Sequence, residues 1–142
     1  MLIGQPLFRF SFRTWYVYRA TILRLFGANI GKRTFIRPSA RIEVPWNLTV
    51  GDDAAIGDYA IIYSLAPIYI GARATISQYA HLCAGTHDYS DPDLKLIRKP
   101  ITIGHECWIA TDAFVGPGVS VGEYSVIGAR SSVYKNLSLI HI

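Results

Sequence analysis

The sequence predicts an all-β fold, a parallel β-helix of about five coils with a helical cap at its N-terminal end, on three observations. An aliphatic residue recurs at intervals of six: Ile30, Ile36, Ile42, then Val50, Ile56, Ile62, then Ile70, Ile76, Leu82, and later Ile103, Ile109, Val115, Val121, Ile127 and Val133. Glycine follows eight of them directly, at Gly31, Gly51, Gly57, Gly71, Gly104, Gly116, Gly122 and Gly128. A small residue stands four places after most of them, as at Ala54, Ala60, Ala74, Ala80, Cys107 and Ala113; Trp46 and Val119 are the misfits. Neither the helix period nor the strand period yields six alone. A three-sided coil with one hexapeptide per face does: the aliphatic points inward, the small residue fills the space beside it, and glycine is expected to turn the corner. Each coil buries its interior only against its neighbours, through parallel strand pairing. Five coils at roughly 4.8 Å make a prism about 24 Å tall.

The chain divides into a basic, aromatic cap over residues 1–28, the β-helix over 29–136 with an inserted loop over 83–102, and a tail over 137–142. Its 142 residues suit one domain with a continuous core, and 51% hydrophobic content argues against disorder. Through Ile42 there are eight basic residues and no acid, while the remainder carries six basic and ten acidic residues. Leu7 to Phe26 is dense in Phe, Trp, Tyr and Leu, but its four arginines argue against a spanning helix. No small-residue cleavage site follows, so a secretory signal is not expected. The segment reads as a helix capping the open end of the prism, with a second, compatible reading as a basic amphipathic surface for an anionic membrane. Nucleic-acid binding is poorly supported, because the basic excess is local and sits on an apolar segment. Cys83 and Cys107 lack metal-ligand spacing and read as buried or half-buried thiols, consistent with a reducing cytoplasm.

At the other end no capping helix or closing turn follows Lys135, although an open prism exposes a strand edge. Leu137 to Ile142 reads as a translated transposase-adaptor sequence of the kind used in DNA library preparation. The natural chain is therefore expected to continue beyond Asn136, the alternative being a divergent natural terminus.

The repeat is interrupted three times. Ile42 to Val50 and Ile62 to Ile70 each absorb two extra residues, which makes small bulges. Leu82 to Ile103 is different: about fifteen residues are inserted, and loops of that length are usually functional. Its Pro, Asp and aromatic content suggests an ordered loop. His87 opens it, and a neutral imidazole can take a proton from a hydroxyl near pH 7. Asp88, Asp91 or Asp93 could orient the ring. No serine or cysteine nucleophile motif, phosphate-binding glycine loop or paired carboxylates compete with it.

Val44-Pro45-Trp46-Asn47-Leu48, Ser77 to Cys83, Thr86-His87-Asp88-Tyr89-Ser90-Asp91-Pro92 and Trp108 to Val119 together resemble the hexapeptide-repeat acyltransferases. The likeness is to their colanic acid biosynthesis acetyltransferase branch, related to the maltose and galactoside acetyltransferases, and it runs from about Pro6 to Lys135. The resemblance implies a left-handed β-helix, a homotrimer with its sites between adjacent prisms, and acetyl-CoA as co-substrate with no metal. It implies that His87, with Asp88, acts as general base on a sugar hydroxyl, which attacks the thioester directly. The acceptor would be a sugar of an exopolysaccharide precursor, small or lipid-linked. The oxyanion donor maps to the Thr111 N–H and the indole beside the cofactor to Trp108, with Ala110 and Arg130 as further cofactor contacts. Tyr89 and Ser64 map beside the acceptor. The family usually has Asn where Ser64 stands, and its closing Gly-Asn-Pro-Ala stretch is absent here; these departures put acceptor preference and CoA binding in question. Two other classes share the prism. A γ-carbonic anhydrase-like enzyme needs three histidines at a trimer seam, and His81, His87 and His105 do not fall at equivalent coil positions. A non-catalytic scaffold has no need of the long loop.

Overall fold

The structure is a computed structural model that describes residues 4–137. Three parallel five-stranded sheets wrap the prism. Sheet A stacks Asn29–Ile30, Leu48–Val50, Ile68–Ile70, Ile101–Ile103 and Ser120–Val121. Sheet B stacks Phe35–Ile36, Ala55–Ile56, Thr75–Ile76, Trp108–Ile109 and Val126–Ile127. Sheet C stacks Arg41–Ile42, Ile61–Tyr63, His81–Cys83, Phe114–Val115 and Ser132–Val133. The predicted aliphatics stand in register, for example Ile56 opposite Ile36 and Ile76, and Ile56, Ile62, Ile76, Leu82 and Ile109 are fully buried. Val119 joins them inside, whereas Trp46 is expelled: the bulge carries it outward on a 3-10 turn, Pro45–Asn47, and leaves it 64% exposed.

The corners correct one expectation. None of the eight repeat glycines is among the left-handed residues; the left-handed residue stands three places after the repeat aliphatic, at Arg33, Asp53, Tyr59, Arg73, Tyr79, Glu106, Asp112, Gly118, Tyr124 and Arg130. Its N–H reaches the preceding coil, as from Asp53 to the Lys32 carbonyl at 2.9 Å and from Glu106 to Ala72 at 2.9 Å. That inter-coil bond holds L-residues in a conformation they rarely adopt. Glycine serves stacking instead: a Cβ on Gly51 would lie 2.4 Å from the Ala72 nitrogen, and one on Gly71 2.4 Å from that of His105. Coils spaced for strand pairing have no room for a side chain there.

Helices α1 (Gly4–Arg9) and α2 (Tyr16–Leu25) replace the single capping helix expected, and α2 packs on the first strands of sheets A and B. At the opposite end stands Leu137, the first residue of the expected tail. It bridges parallel to Val121, its N–H donating to Ser120 at 3.0 Å and its carbonyl accepting from Gly122 at 2.7 Å, and packs on the core. Residues 138–142, where the rest of the adaptor reading falls, lie outside the described residues.

Candidate active site

All three interruptions stack along one edge, where sheet C hands over to sheet A. The first two bulges are tied together by Ser64: its hydroxyl donates to the Val44 carbonyl at 2.9 Å and accepts from the Val44 N–H at 3.0 Å. Asn47 adds a bond to the Ser64 carbonyl at 3.0 Å. Ser64 is fully buried. The hydroxyl expected beside the acceptor is committed instead to the Val44 backbone, where it takes an N–H that the bulge would otherwise orphan and shares a carbonyl with the Asn47 N–H.

Above these bulges the third interruption folds as an antiparallel hairpin rather than a plain loop, pairing Gly85–His87 with Leu96–Arg98. Its root is fixed by Lys99 N–H to the Ala84 carbonyl at 3.0 Å and Ala84 N–H to Tyr63 at 3.0 Å. Its tip is a run of tight turns. Asp91 N–H donates to the Asp88 carbonyl at 3.1 Å and Leu94 N–H to Asp91 at 2.9 Å. The Asp91 carboxylate takes the Asp93 N–H at 2.9 Å, as aspartates do in turns. Leu94 has φ +49°, and its carbonyl lies 2.7 Å from His87 Nδ1. A carbonyl only accepts, so Nδ1 carries the proton of the neutral ring and the lone pair is left on Nε2. His87 is exposed.

Asp88 does not orient that ring. Its carboxylate accepts from the Ser90 hydroxyl and, at 3.0 Å, from the Ser90 N–H, bonds that hold it below the usual carboxylate range. Leu94 fills the orienting role that the sequence assigned to an aspartate. Tyr89 is 93% exposed at the tip.

The residues mapped to the cofactor lie elsewhere. Trp108 faces outward from sheet B, half exposed, and its indole N–H donates to the Ser77 hydroxyl at 2.8 Å. Sequence reasoning passed over Ser77, although serine there replaces the glycine that follows most repeat aliphatics. At the corner between sheets B and C, the Thr111 carbonyl accepts from Arg130 N–H at 2.9 Å, while the Thr111 N–H donates to no described group. The Ala110 N–H is taken by Ile127 at 2.9 Å. Arg130 stands in the same corner, strongly exposed, 3.7 Å from Asp112. The His87 hairpin springs from the edge opposite sheet B. One chain therefore does not bring His87 and Trp108 together. A cavity of about 360 Å³ lined by Phe8, Arg9, Leu23 and Arg41 lies under α1, away from both groups. Among the described residues no three His, Cys, Asp or Glu side chains converge as metal ligands.

No family model matches the chain. It is 50% identical over 135 residues to a protein of Escherichia coli (strain K12) named as a colanic acid biosynthesis acetyltransferase, WcaF, across 95% of this chain and 74% of that one. This chain belongs to the colanic acid biosynthesis acetyltransferases. It is an acetyltransferase, which sets aside the scaffold and carbonic anhydrase readings. Among solved structures it resembles a maltose O-acetyltransferase of Clostridium difficile 630, with TM-score 0.87 and 25% identity over 96% of this chain and 74% of that one. A hexapeptide-repeat acetyltransferase of Vibrio cholerae complexed with acetyl-CoA superposes with TM-score 0.83, at 21% identity over 96% of this chain and 78% of that one.

Proposed function

We propose that this acetyltransferase moves an acetyl group from acetyl-CoA to a hydroxyl of a sugar in an exopolysaccharide precursor, with His87 as general base. The observation that carries the reading is the exposed His87 ring, pinned through Nδ1 to the Leu94 carbonyl at 2.7 Å, which leaves the lone pair on Nε2. Nε2 takes the proton of the sugar hydroxyl as its oxygen attacks the thioester carbonyl. The new C–O bond forms a tetrahedral oxyanion, to which the unspent Thr111 N–H would donate; such a donor contributes about 2.7–4 kcal/mol. Collapse breaks the C–S bond, and the imidazolium returns its proton to the departing CoA thiolate. Acetyl ester and CoA leave without an acyl-enzyme.

The donor reading is supported by acetyltransferases of similar fold whose structures hold acetyl-CoA or coenzyme A. Trp108, held by Ser77, would flank the pantetheine arm, with Arg130 at its phosphates. Because His87 and Trp108 stand on opposite sides of one prism, the reading requires a cyclic homotrimer in which the hairpin of one copy meets sheet B of the next. The donor would be cytoplasmic. His87→Ala is expected to lower kcat by about 10²–10⁴-fold, with the melting temperature and the acetyl-CoA dissociation constant unchanged. Near-normal turnover would remove His87 from the chemistry.

A further inference from the structure

Helix α2 is apolar on both sides. Ala20 and Leu23 are buried against the first coil, while Val17 and Leu25 are 78% and 79% exposed. Val17, Thr21 and Leu25 fall at intervals of four and share one stripe along the outer face. The apolar surface continues past the helix start: Phe12 meets Trp15 edge-on at 4.8 Å between ring centroids, and Trp15 meets Tyr18 at 5.3 Å. Phe10 is 84% exposed at the end of α1. This arrangement is built. The fully buried Arg19 donates to the Phe12 and Arg13 carbonyls, to the Ser11 hydroxyl and to the Ile36 carbonyl. A buried cation thus holds an exposed phenylalanine in place. Contiguous apolar surface of this kind marks a contact site.

Charge identifies what covers it. Residues 1–42 carry eight cations and no acid. Arg13 and Arg33 are met by Asp58 and Asp53, and Arg41 by Glu43. Among the described residues the side chains of Arg9, Arg24 and Lys32 pair with no carboxylate, and all three residues are exposed; only the backbone N–H of Lys32 reaches one, at Asp52. Arg24 donates only to the carbonyls of Ile30 and Gly31. A second copy seated here would set cations against cations. A lipid bilayer with anionic headgroups would take the rings and aliphatics at its acyl boundary and the guanidinium groups at its phosphates. No helix among the described residues is long and apolar enough to cross a membrane, so the contact is with its surface. We infer that the outer face of the cap, Phe10, Phe12, Trp15, Val17, Tyr18 and Leu25 with Arg9 and Arg24, docks on an anionic lipid surface. The inference does not rest on the acetyl-transfer reading.

The test is co-sedimentation of the full chain with vesicles of phosphatidylcholine alone and of phosphatidylcholine mixed with phosphatidylglycerol. Binding is expected on the mixed vesicles and weak on the neutral ones, and it should fall as salt rises. The combined variant Phe12→Ser, Val17→Ser, Leu25→Ser should bind at least about tenfold more weakly, and Arg9→Gln about fivefold. All four side chains are exposed, and circular dichroism melts matching the wild type would show that the cap is intact. Absence of binding to the mixed vesicles at low salt, or wild-type binding by the combined variant, overturns the inference. So does a smaller oligomeric mass of that variant without vesicles, which would make a second copy the occupant.

Discussion

His87 has one committed nitrogen and one open nitrogen because a left-handed leucine seven residues downstream offers its carbonyl. The histidine was legible in the sequence, since it opens the longest break in a regular repeat. Its partner was not: nothing in the residue type of Leu94 announces a hydrogen-bond acceptor, and the backbone of any residue can serve. The neighbouring aspartates drew attention by charge, yet the tip is so tightly turned that Asp88 and Asp91 are consumed in shaping it. Ser64 is a parallel case. The repeat locates its segment but not the direction of a side chain in a coil widened by two residues. Ser64→Ala should destabilise the protein by about 1–3 kcal/mol, because it leaves the partly buried Val44 N–H without an acceptor, while the Val44 carbonyl keeps the Asn47 N–H. Denaturant titration measures this loss, and KM for the acceptor should stay unchanged. A raised KM with unchanged stability would return Ser64 to the acceptor site.

At the scale of the strand stack, the period of six yielded the strands and their register, because one inward aliphatic per face is a demand that the sequence must meet at every coil. Corner chemistry was misread because glycine suggests left-handed backbone, whereas here it answers a steric limit between coils and the φ > 0 residue is commonly Arg, Asp or Tyr. Sheet C carries a second consequence. His81 lies between Phe114 and Tyr63, at 5.2 and 6.5 Å between ring centroids, and its buried Nε2 has no partner among the described residues. Burial disfavours the imidazolium and lowers its pKa from the ordinary value of about 6.5. The unfolded chain then binds the proton more readily than the folded one. Stability from this group is complete above about pH 6.5 and is lost as pH falls toward the depressed folded value. Urea midpoints across pH 5 to 8 should show this slope, and His81→Phe should flatten it. An unchanged slope in the variant would assign the acid sensitivity to other groups.

Over the whole molecule, the same topology that builds a continuous core separates the two halves of the proposed site. Every expansion of the repeat falls on the C–A edge and culminates in the hairpin, while Trp108 and its supporting Ser77 lie on sheet B opposite. The sequence placed these groups by their motifs, but their separation becomes visible only when hexapeptides are assigned to faces. The central claim is that one site takes His87 from one copy and Trp108 from its neighbour. Subunit exchange between His87→Ala and Trp108→Ala chains tests it, with activity measured at acetyl-CoA concentrations too low for either parent to turn over. A shared site predicts that the mixture gains activity that neither parent shows, since some neighbours then pair an intact histidine with an intact tryptophan. Activity no greater than the mean of the two parents, in a mixture whose exchange is verified by mass, would contradict it.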